Sequence, residues 1–230
     1  MEKNKEGFWV LHDVNLFEVM CPHKVGGFVK ENHFRSYKKG ETIYFNEDMA
    51  NTMYLIANGK VRLVNYNEDG QEVIRHILGR GEVFGELAIL GESQRDEVAE
   101  AMEEDTMICP VKVEEINDLM KDNKEFAFKI HKLIGLRIKK LQRRVESLVF
   151  KDVKQRLAEF ILELERDAME ADSIGQVFSN HLTHKDIASL IGTSRQTVTT
   201  LLNEWREGGI VRFDRKSFQI LKPKELHYSK

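Results

Sequence analysis

Long apolar runs are missing from this chain. No window approaches the ~18 uninterrupted apolar residues that mark a membrane-spanning helix. The opening MEKNKEGFWV has neither the apolar stretch nor the small-residue cleavage site of a secretory signal, so a cytoplasmic protein with no membrane partner is expected. Cysteine is scarce: Cys21 and Cys109 stand far apart and make neither a disulfide framework nor a CxxC metal knuckle. Catalytic signatures are missing too. Glycines recur without a GxGxxG or Walker loop, HExxH is absent, and no serine occupies a nucleophile elbow. The scattered Asp and Glu are then solvated surface, and no enzyme is expected. Nor is charge of one sign in excess: the formal net charge is -3 and the pI about 6.3, which alone gives no reason to expect nucleic acid.

What is present is an uneven distribution within 230 residues, a length that holds two ordinary domains. With 32% charged and 41% hydrophobic residues, the chain has the balance of a soluble globular protein. From Thr183 to Lys230 nine Lys or Arg stand against five Asp or Glu, whereas Glu86 to Asp118 is acidic. A local positive face binds phosphate even when the whole chain is acidic.

From Ala127 to Leu148 apolar positions recur at spacings of four and three: Ala127, Ile134, Ile138, Leu141, Val145 and Leu148, with His131 in register. Charged residues fill much of the space between, and no Pro interrupts. That 3.5-residue repeat predicts a long helix whose seam, Ile134, Ile138, Leu141, Val145 and Leu148, lies along a second copy of itself. The alternative left open by the pattern is a long amphipathic helix packed on its own domain.

Before this helix, residues 1–34 are of mixed polarity, with a short helix expected at 13–20. Runs of Val, Ile, Tyr, Phe and Leu then alternate with turn signals at Gly40, Asn58-Gly59, Asp69-Gly70 and Gly79-Arg80-Gly81. Asn58-Gly59 and Asp69-Gly70 are type I′ hairpin candidates. The spacing predicts an antiparallel barrel or sandwich over about 30–112, with helical periodicity from Val113 to about Ala171.

The C-terminal stretch LTHKDIASLIGTSRQTVTTLLNEWREGGIVRFDRKSFQI reads as a helix-turn-helix. Thr183 with Asp186, and Thr193 with Gln196, are expected capping boxes. Ala188, Gly192 and Val198 suit a helix crossing, a tight turn and an apolar plug, with Ile187, Leu190, Leu201 and Leu202 as shared core. The second helix then exposes Ser194, Arg195, Gln196, Thr199 and Thr200 near its N-terminus, where base edges and phosphates are met. IVRFDRKSFQI predicts a two-stranded wing. Double-stranded DNA is the expected partner. Thr183, Ser194, Thr199, Lys185 and Arg212 are candidates for the phosphate backbone.

These segments, together with GETIYFNED, TMYLIANGKVRL, VFGELAILGESQRDEVAEA and LVFKDVKQRLAEFIL, resemble the Crp/Fnr family of bacterial transcription regulators over roughly residues 28–222. The resemblance implies an α+β chain: an N-terminal double-stranded β-helix, a jelly roll like that of cyclic-nucleotide-binding proteins, over 1–125, a dimerisation helix over 126–150, and a C-terminal winged helix-turn-helix over 151–230. It implies a homodimer on an inverted repeat with half-sites about 34 Å apart, and RNA polymerase as a further partner. By the family's pattern Arg195 reads guanine, while Gln196, which replaces a Glu in one cyclic-AMP-binding member, is suited to adenine. A nucleotide-binding regulatory module that does not touch DNA is the runner-up.

Carried onto the effector pocket, the resemblance matches Gly85 and Glu86 to a Gly-Glu pair that meets ribose and phosphate, and Arg95 to an Arg that grips the phosphate. The Ser or Thr that follows that Arg is replaced by Asp96, then Glu97. Leu141 and Gln142 stand where a Thr-Ser pair contacts adenine. Two carboxylates beside a phosphate are unfavourable, so cyclic AMP is not expected as the effector, and Gly85, Glu86 and Arg95 are expected to form an internal turn and ion pair. Iron–sulfur members need four thiolates, which Cys21 and Cys109 cannot supply. FKDVKQRLAEF and TSRQT resemble haem-sensing members, but VFGEL lacks their His ligand and His76 is read as a surface or core residue. No cofactor is assigned, an unidentified small-molecule effector is left open, and so is a redox response of Cys21 or Cys109.

Overall fold

The computed structural model describes residues 34–68, 70, 72–168, 177–179, 182–214 and 217–227. The helix expected at 13–20 lies outside the described residues, as do Cys21 and Asp69. Among the described residues no helix is long and apolar enough to cross a membrane.

Eight short strands build the first region: β1 Arg35–Tyr37, β2 Thr42–Tyr44, β3 Thr52–Asn58, β4 Val61–Tyr66, β5 Glu72–Leu78, β6 Val83–Phe84, β7 Val98–Ala101 and β8 Thr106–Lys112. They form two four-stranded sheets of order β1-β8-β3-β6 and β2-β7-β4-β5, with every pairing antiparallel. This is the expected jelly roll. Tyr37, Ile56, Val61, Leu63, Leu78, Phe84 and Ile108 fill the space between the sheets. β8 alternates faces, and Cys109 and Val111 turn to the other side. There they join Met53 and Leu55 of β3 with Ile116, Phe126, Ile130 and Leu133 from the helices that follow. Cys109 is thus a core residue, 2% exposed.

One expected hairpin is not a hairpin. Asn58-Gly59 connects β3 and β4, which lie in different sheets, and only Gly59 has positive φ (83°). The glycine is needed for close approach: a Cβ there would stand 2.6 Å from Thr106 Oγ1 and 3.0 Å from Thr106 Cα. Gly70, at φ 73°, lies between β4 and β5, which do pair antiparallel.

Helix α1 spans Val113–Asp122, α2 Lys124–Phe150 and α3 Val153–Ala168. The 27 residues of α2 make it about 40 Å long. The described chain divides into two compact units between Ile138 and Lys139, inside α2. In the first unit one stripe of α2, Phe126, Ile130 and Leu133, is buried against the β region with Ile134 packed partly beside it.

In the second unit Leu157, Phe160 and Ile161 of α3 are buried. Helices α4 (His184–Ile191) and α5 (Arg195–Glu207) follow, then β10 (Val211–Phe213), β11 (Ser217–Ile220) and a last helix, α6 (Pro223–His227). β9 (Val177–Ser179) adds a third strand to the expected wing, giving the order β10-β11-β9.

Candidate functional site

The C-terminal head is built from its caps outward. Thr183 Oγ1 accepts from the Asp186 N–H (3.2 Å), while the Asp186 carboxylate accepts from the Thr183 N–H (2.8 Å). This is the predicted capping box, and it fixes where α4 begins. Gly192 at φ 69° ends α4, and the Thr193 N–H returns to the Ala188 carbonyl. That bond uses Thr193 to close α4, so the cap of α5 falls one residue later than expected. Ser194 Oγ accepts from the Thr197 N–H at 3.1 Å, and Thr193 with Gln196 forms no box. Ile187, Ala188, Leu190, Val198 and Leu202 are buried as expected, Leu201 is only partly so, and Trp205 joins them.

Arg195, Gln196 and Thr200 are exposed in the first turns of α5, and Lys185 and Arg212 are exposed on α4 and β10. Thr199 differs from the expectation. Its hydroxyl donates to the Arg195 carbonyl (2.9 Å) and meets His184 Nδ1 (2.9 Å), so it faces the protein. The helix-turn-helix is also held from behind. Arg156, 7% exposed, donates from Nε to the Ile191 carbonyl (2.9 Å), from Nη1 to the Lys151 carbonyl (2.8 Å) and from Nη2 to the Gly192 carbonyl (3.3 Å). Arg144 Nη2 donates to the Leu190 carbonyl at 3.0 Å. Guanidinium groups thus satisfy the carbonyls that the end of α4 leaves open. Neither arginine is marked by a local sequence signal, because the carbonyls that each holds at the end of α4 lie more than thirty residues away.

In the β region, Gly85 (φ 72°) opens a short 3-10 helix, Glu86–Leu90. Arg95 is 6% exposed and donates from Nη1 to the Gly85 carbonyl (3.1 Å) and from Nη2 to the Thr52 carbonyl. Its guanidinium lies over the Tyr44 ring, 4.6 Å from the centroid. A Cβ on residue 85 would stand 2.7 Å from Arg95 Nη1, so glycine is what allows the approach. The expected internal turn is present, yet its ion pair has another partner. Glu86 pairs with Arg137 of α2, which also donates to the Val83 carbonyl. Burial lowers the Arg137 pKa to about 10, partly offset by the Glu82 charge. A spacing of four and three from Ile130 and Leu133 places Arg137 on the buried stripe, a signal that pattern reading on the other seam passes over.

Asp96 and Glu97 have close partners in Arg75 and Tyr44. Arg75 Nη1 lies 2.7 Å from Asp96 Oδ2 and 3.5 Å from Glu97 Oε2, while the Tyr44 hydroxyl donates to Glu97 Oε1 (2.9 Å). Burial pushes the Glu97 carboxyl above its usual range, with the Tyr44 bond and Arg75 acting in the opposite sense. Leu141 and Gln142 are exposed on the C-terminal half of α2, in the second unit. The structure gathers Gly85 and Arg95 into one turn with Glu86 and Arg137 beside it. Among the described residues no group of three His, Cys, Asp or Glu could hold a metal ion, and His76 is exposed on β5.

The seam of α2 is uneven. Ile134 is partly covered by its own unit, whereas Ile138, Leu141, Val145 and Leu148 are 54%, 62%, 52% and 44% exposed.

A jelly roll followed by a long helix and a capped, winged helix-turn-helix defines a class of DNA-binding regulators that carry a sensor domain. Comparison with known proteins agrees. A cyclic nucleotide-binding domain model matches residues 34–123 and a Crp-like helix-turn-helix domain model residues 155–228. The chain is 32% identical over 197 residues to the cyclic AMP receptor protein of Thermus thermophilus, a match covering 86% of this chain and 88% of that protein. It is 29% identical over 196 residues to the global nitrogen regulator of a Nostoc species, covering 83% and 86%. Among solved structures, a CooA mutant from Carboxydothermus hydrogenoformans matches with a TM-score of 0.76 at 28% identity, covering 93% of this chain and 94% of that one. The chain belongs to the Crp/Fnr family and is a transcription regulator, not an enzyme.

Proposed function

We propose that this protein is a homodimeric regulator that reads an inverted repeat in double-stranded DNA. Its sensor domain covers residues 1–125, its dimerisation helix 126–150 and its DNA-binding domain 151–230. The observation that carries the proposal is the capped N-terminus of α5, which holds Arg195, Gln196 and Thr200 exposed within its first two turns beside the wing. Arg195 is suited to guanine O6 and N7, and Gln196 to adenine; a bidentate contact is worth about 1–3 kcal/mol of discrimination. Lys185, Arg212, Thr183 and Ser194 serve the phosphates, which position the helix without specifying sequence, whereas Thr199 acts from behind. The partner copy covers Ile138, Leu141, Val145 and Leu148. RNA polymerase is a further partner, and the protein works in the cytoplasm.

The effector we propose is not cyclic AMP or cyclic GMP. Asp96 and Glu97 are not the ground, since Asp96 is paired with Arg75 and Glu97 accepts from Tyr44. This exclusion rests on Arg95, whose terminal nitrogens hold two backbone carbonyls, and on Glu86, which is engaged by Arg137. A cyclic nucleotide has to displace both sets of bonds and finds no hydroxyl after Arg95. Relatives named for cyclic AMP and for nitrogen regulation support a sensing role without selecting the ligand.

The test is a mobility shift with genomic fragments, using the wild type and Arg195→Ala, followed by calorimetry of the wild type with each cyclic nucleotide. Retention by the wild type that Arg195→Ala weakens supports the DNA reading, and equal retention by both contradicts the role of Arg195. Micromolar or tighter nucleotide binding that tightens further with DNA present, as linkage demands of a true effector, overturns the effector proposal.

A further inference from the structure

We propose that His184 is a further DNA-contacting residue that takes up a proton when the head meets a backbone phosphate, so that affinity for DNA falls as pH rises. The inference rests on the reading of α4 and α5 as a DNA-binding head.

His184 opens α4, between Thr183 and Lys185, and its ring touches two other elements of the head. Nδ1 lies 2.9 Å from Thr199 Oγ1 on α5, and the ring meets Phe213 of β10 edge-on at 5.9 Å between centroids. The Thr199 hydroxyl has one hydrogen, and it goes to the Arg195 carbonyl at 2.9 Å. Both contacts of that oxygen are satisfied together only if His184 Nδ1 carries the hydrogen and donates it to Thr199. The tautomer follows: in the neutral ring the lone pair is on Nε2. That nitrogen has no hydrogen-bond partner among the described residues and is not sealed from solvent. His184 therefore contributes one hydrogen bond that steadies the first turn of the recognition helix, and it keeps one open position for a proton.

The charged groups on the surrounding elements decide when that proton is held. Lys185 and Asp186 lie on α4, Arg195 and Arg206 on α5, and Arg212 and Asp214 on or just after β10. Arg206 sits over the Phe213 ring at 5.2 Å. Asp186 is committed to the Thr183 N–H and Asp214 to the Ser217 N–H and hydroxyl, while Glu204 and Glu207 lie in the last turn of α5, at the end away from Arg195. Burial, with the Arg195 charge second, holds the His184 pKa below the ordinary histidine value. In the free protein at neutral pH the ring is thus neutral, and its Nε2 lone pair would repel a phosphate oxygen. A phosphate drawn in by Lys185, Arg195 and Arg212 reverses the local balance. Once protonated, Nε2 becomes the donor of a charge-assisted bond to it.

A pKa that is higher in the complex than in the free protein sets the sign. The added affinity is full below the free-protein value and is lost as pH rises through the value in the complex. Each head that gains one proton changes the dissociation constant by up to about tenfold per pH unit, and a dimer with two heads by up to about a hundredfold.

The test measures binding of a fluorescein-labelled duplex, enriched by the protein from random DNA, between about pH 5 and 8 at fixed ionic strength. Wild type and His184→Asn are compared. Asparagine places an amide nitrogen near the position of Nδ1, so it can still donate to Thr199 but has no proton to gain. A dissociation constant that rises with pH in the wild type and much less in His184→Asn is expected; equal slopes overturn the inference. Should the variant not fold, NMR titration of the His184 ring in the wild-type protein, free and DNA-bound, decides the matter. A pKa that rises on binding supports proton uptake, and one that is unchanged or falls refutes it. If neither protein enriches any duplex, the DNA reading fails first and this inference falls with it.

Discussion

Gly85 has to be glycine for two reasons at once, since its φ of 72° is in the left-handed region and the Arg95 guanidinium occupies the space of a Cβ. Gly85→Ala is therefore expected to destabilise the sensor region by roughly 1–3 kcal/mol, read as a lowered Tm; an unchanged Tm would mean that Arg95 moves aside without loss. A few residues on, Glu97 gives a pH dependence whose sign runs opposite to that of an ordinary ion-paired carboxylate. Its folded-state pKa is raised by burial, so the folded protein holds the proton more tightly than the unfolded chain, and this group's contribution falls as pH rises from the usual carboxylate range through the folded value. Glu97→Gln keeps an oxygen to accept from Tyr44 and removes the charge. Its stability relative to wild type is expected to be greatest at neutral pH and to shrink as the solution is acidified from the raised folded-state value down to the usual carboxylate pKa. Urea denaturation at a series of pH values checks this, and a relative stability that grows on acidification would contradict it.

At the scale of elements, α2 serves two surfaces from one sequence. Phe126, Ile130, Leu133 and Arg137 recur at four and three and face the β region, while Ile138, Leu141, Val145 and Leu148 recur at three and four and remain exposed in the single chain. The second stripe was legible in the sequence because it is long and has charged neighbours. The first was not singled out because its mates, Met53, Leu55, Val83 and Val111, are distant in sequence. Locally encoded features were also legible: the Thr183 box, the Gly192 turn and the β4–β5 hairpin. Features that depend on distant partners were not, such as Glu86 with Arg137 or Arg156 with Gly192. Asn58-Gly59 misled because a turn dipeptide reports local φ, not which sheet the next strand joins. Ile138→Asp puts a charge on an exposed face of the monomer, so the fold is expected to survive. In a dimer seam the same charge lacks both water and a partner. Sedimentation is expected to show a folded monomer, and an unchanged dimer would reject this seam.

For the molecule as a whole, the β region and the C-terminal head each carry arginines that hold backbone carbonyls, buried Arg95 and half-buried Arg137 in one, buried Arg156 and half-buried Arg144 in the other. These bonds tie side chains on helices or loops to turns elsewhere in the same unit, and losing one leaves a carbonyl without its donor. An effector that competes for Glu86 or Arg95 acts on DNA affinity only if it binds the DNA-competent arrangement more tightly than the other. The central claim is that two such chains read DNA together, and selection from random duplexes followed by sequencing tests it most directly. An enriched inverted repeat with half-site centres one helical turn apart, about 34 Å, is expected, with a preference at one base pair per half-site that is lost in Arg195→Ala. A single unrepeated motif, or one that Arg195→Ala leaves unchanged, would contradict that claim.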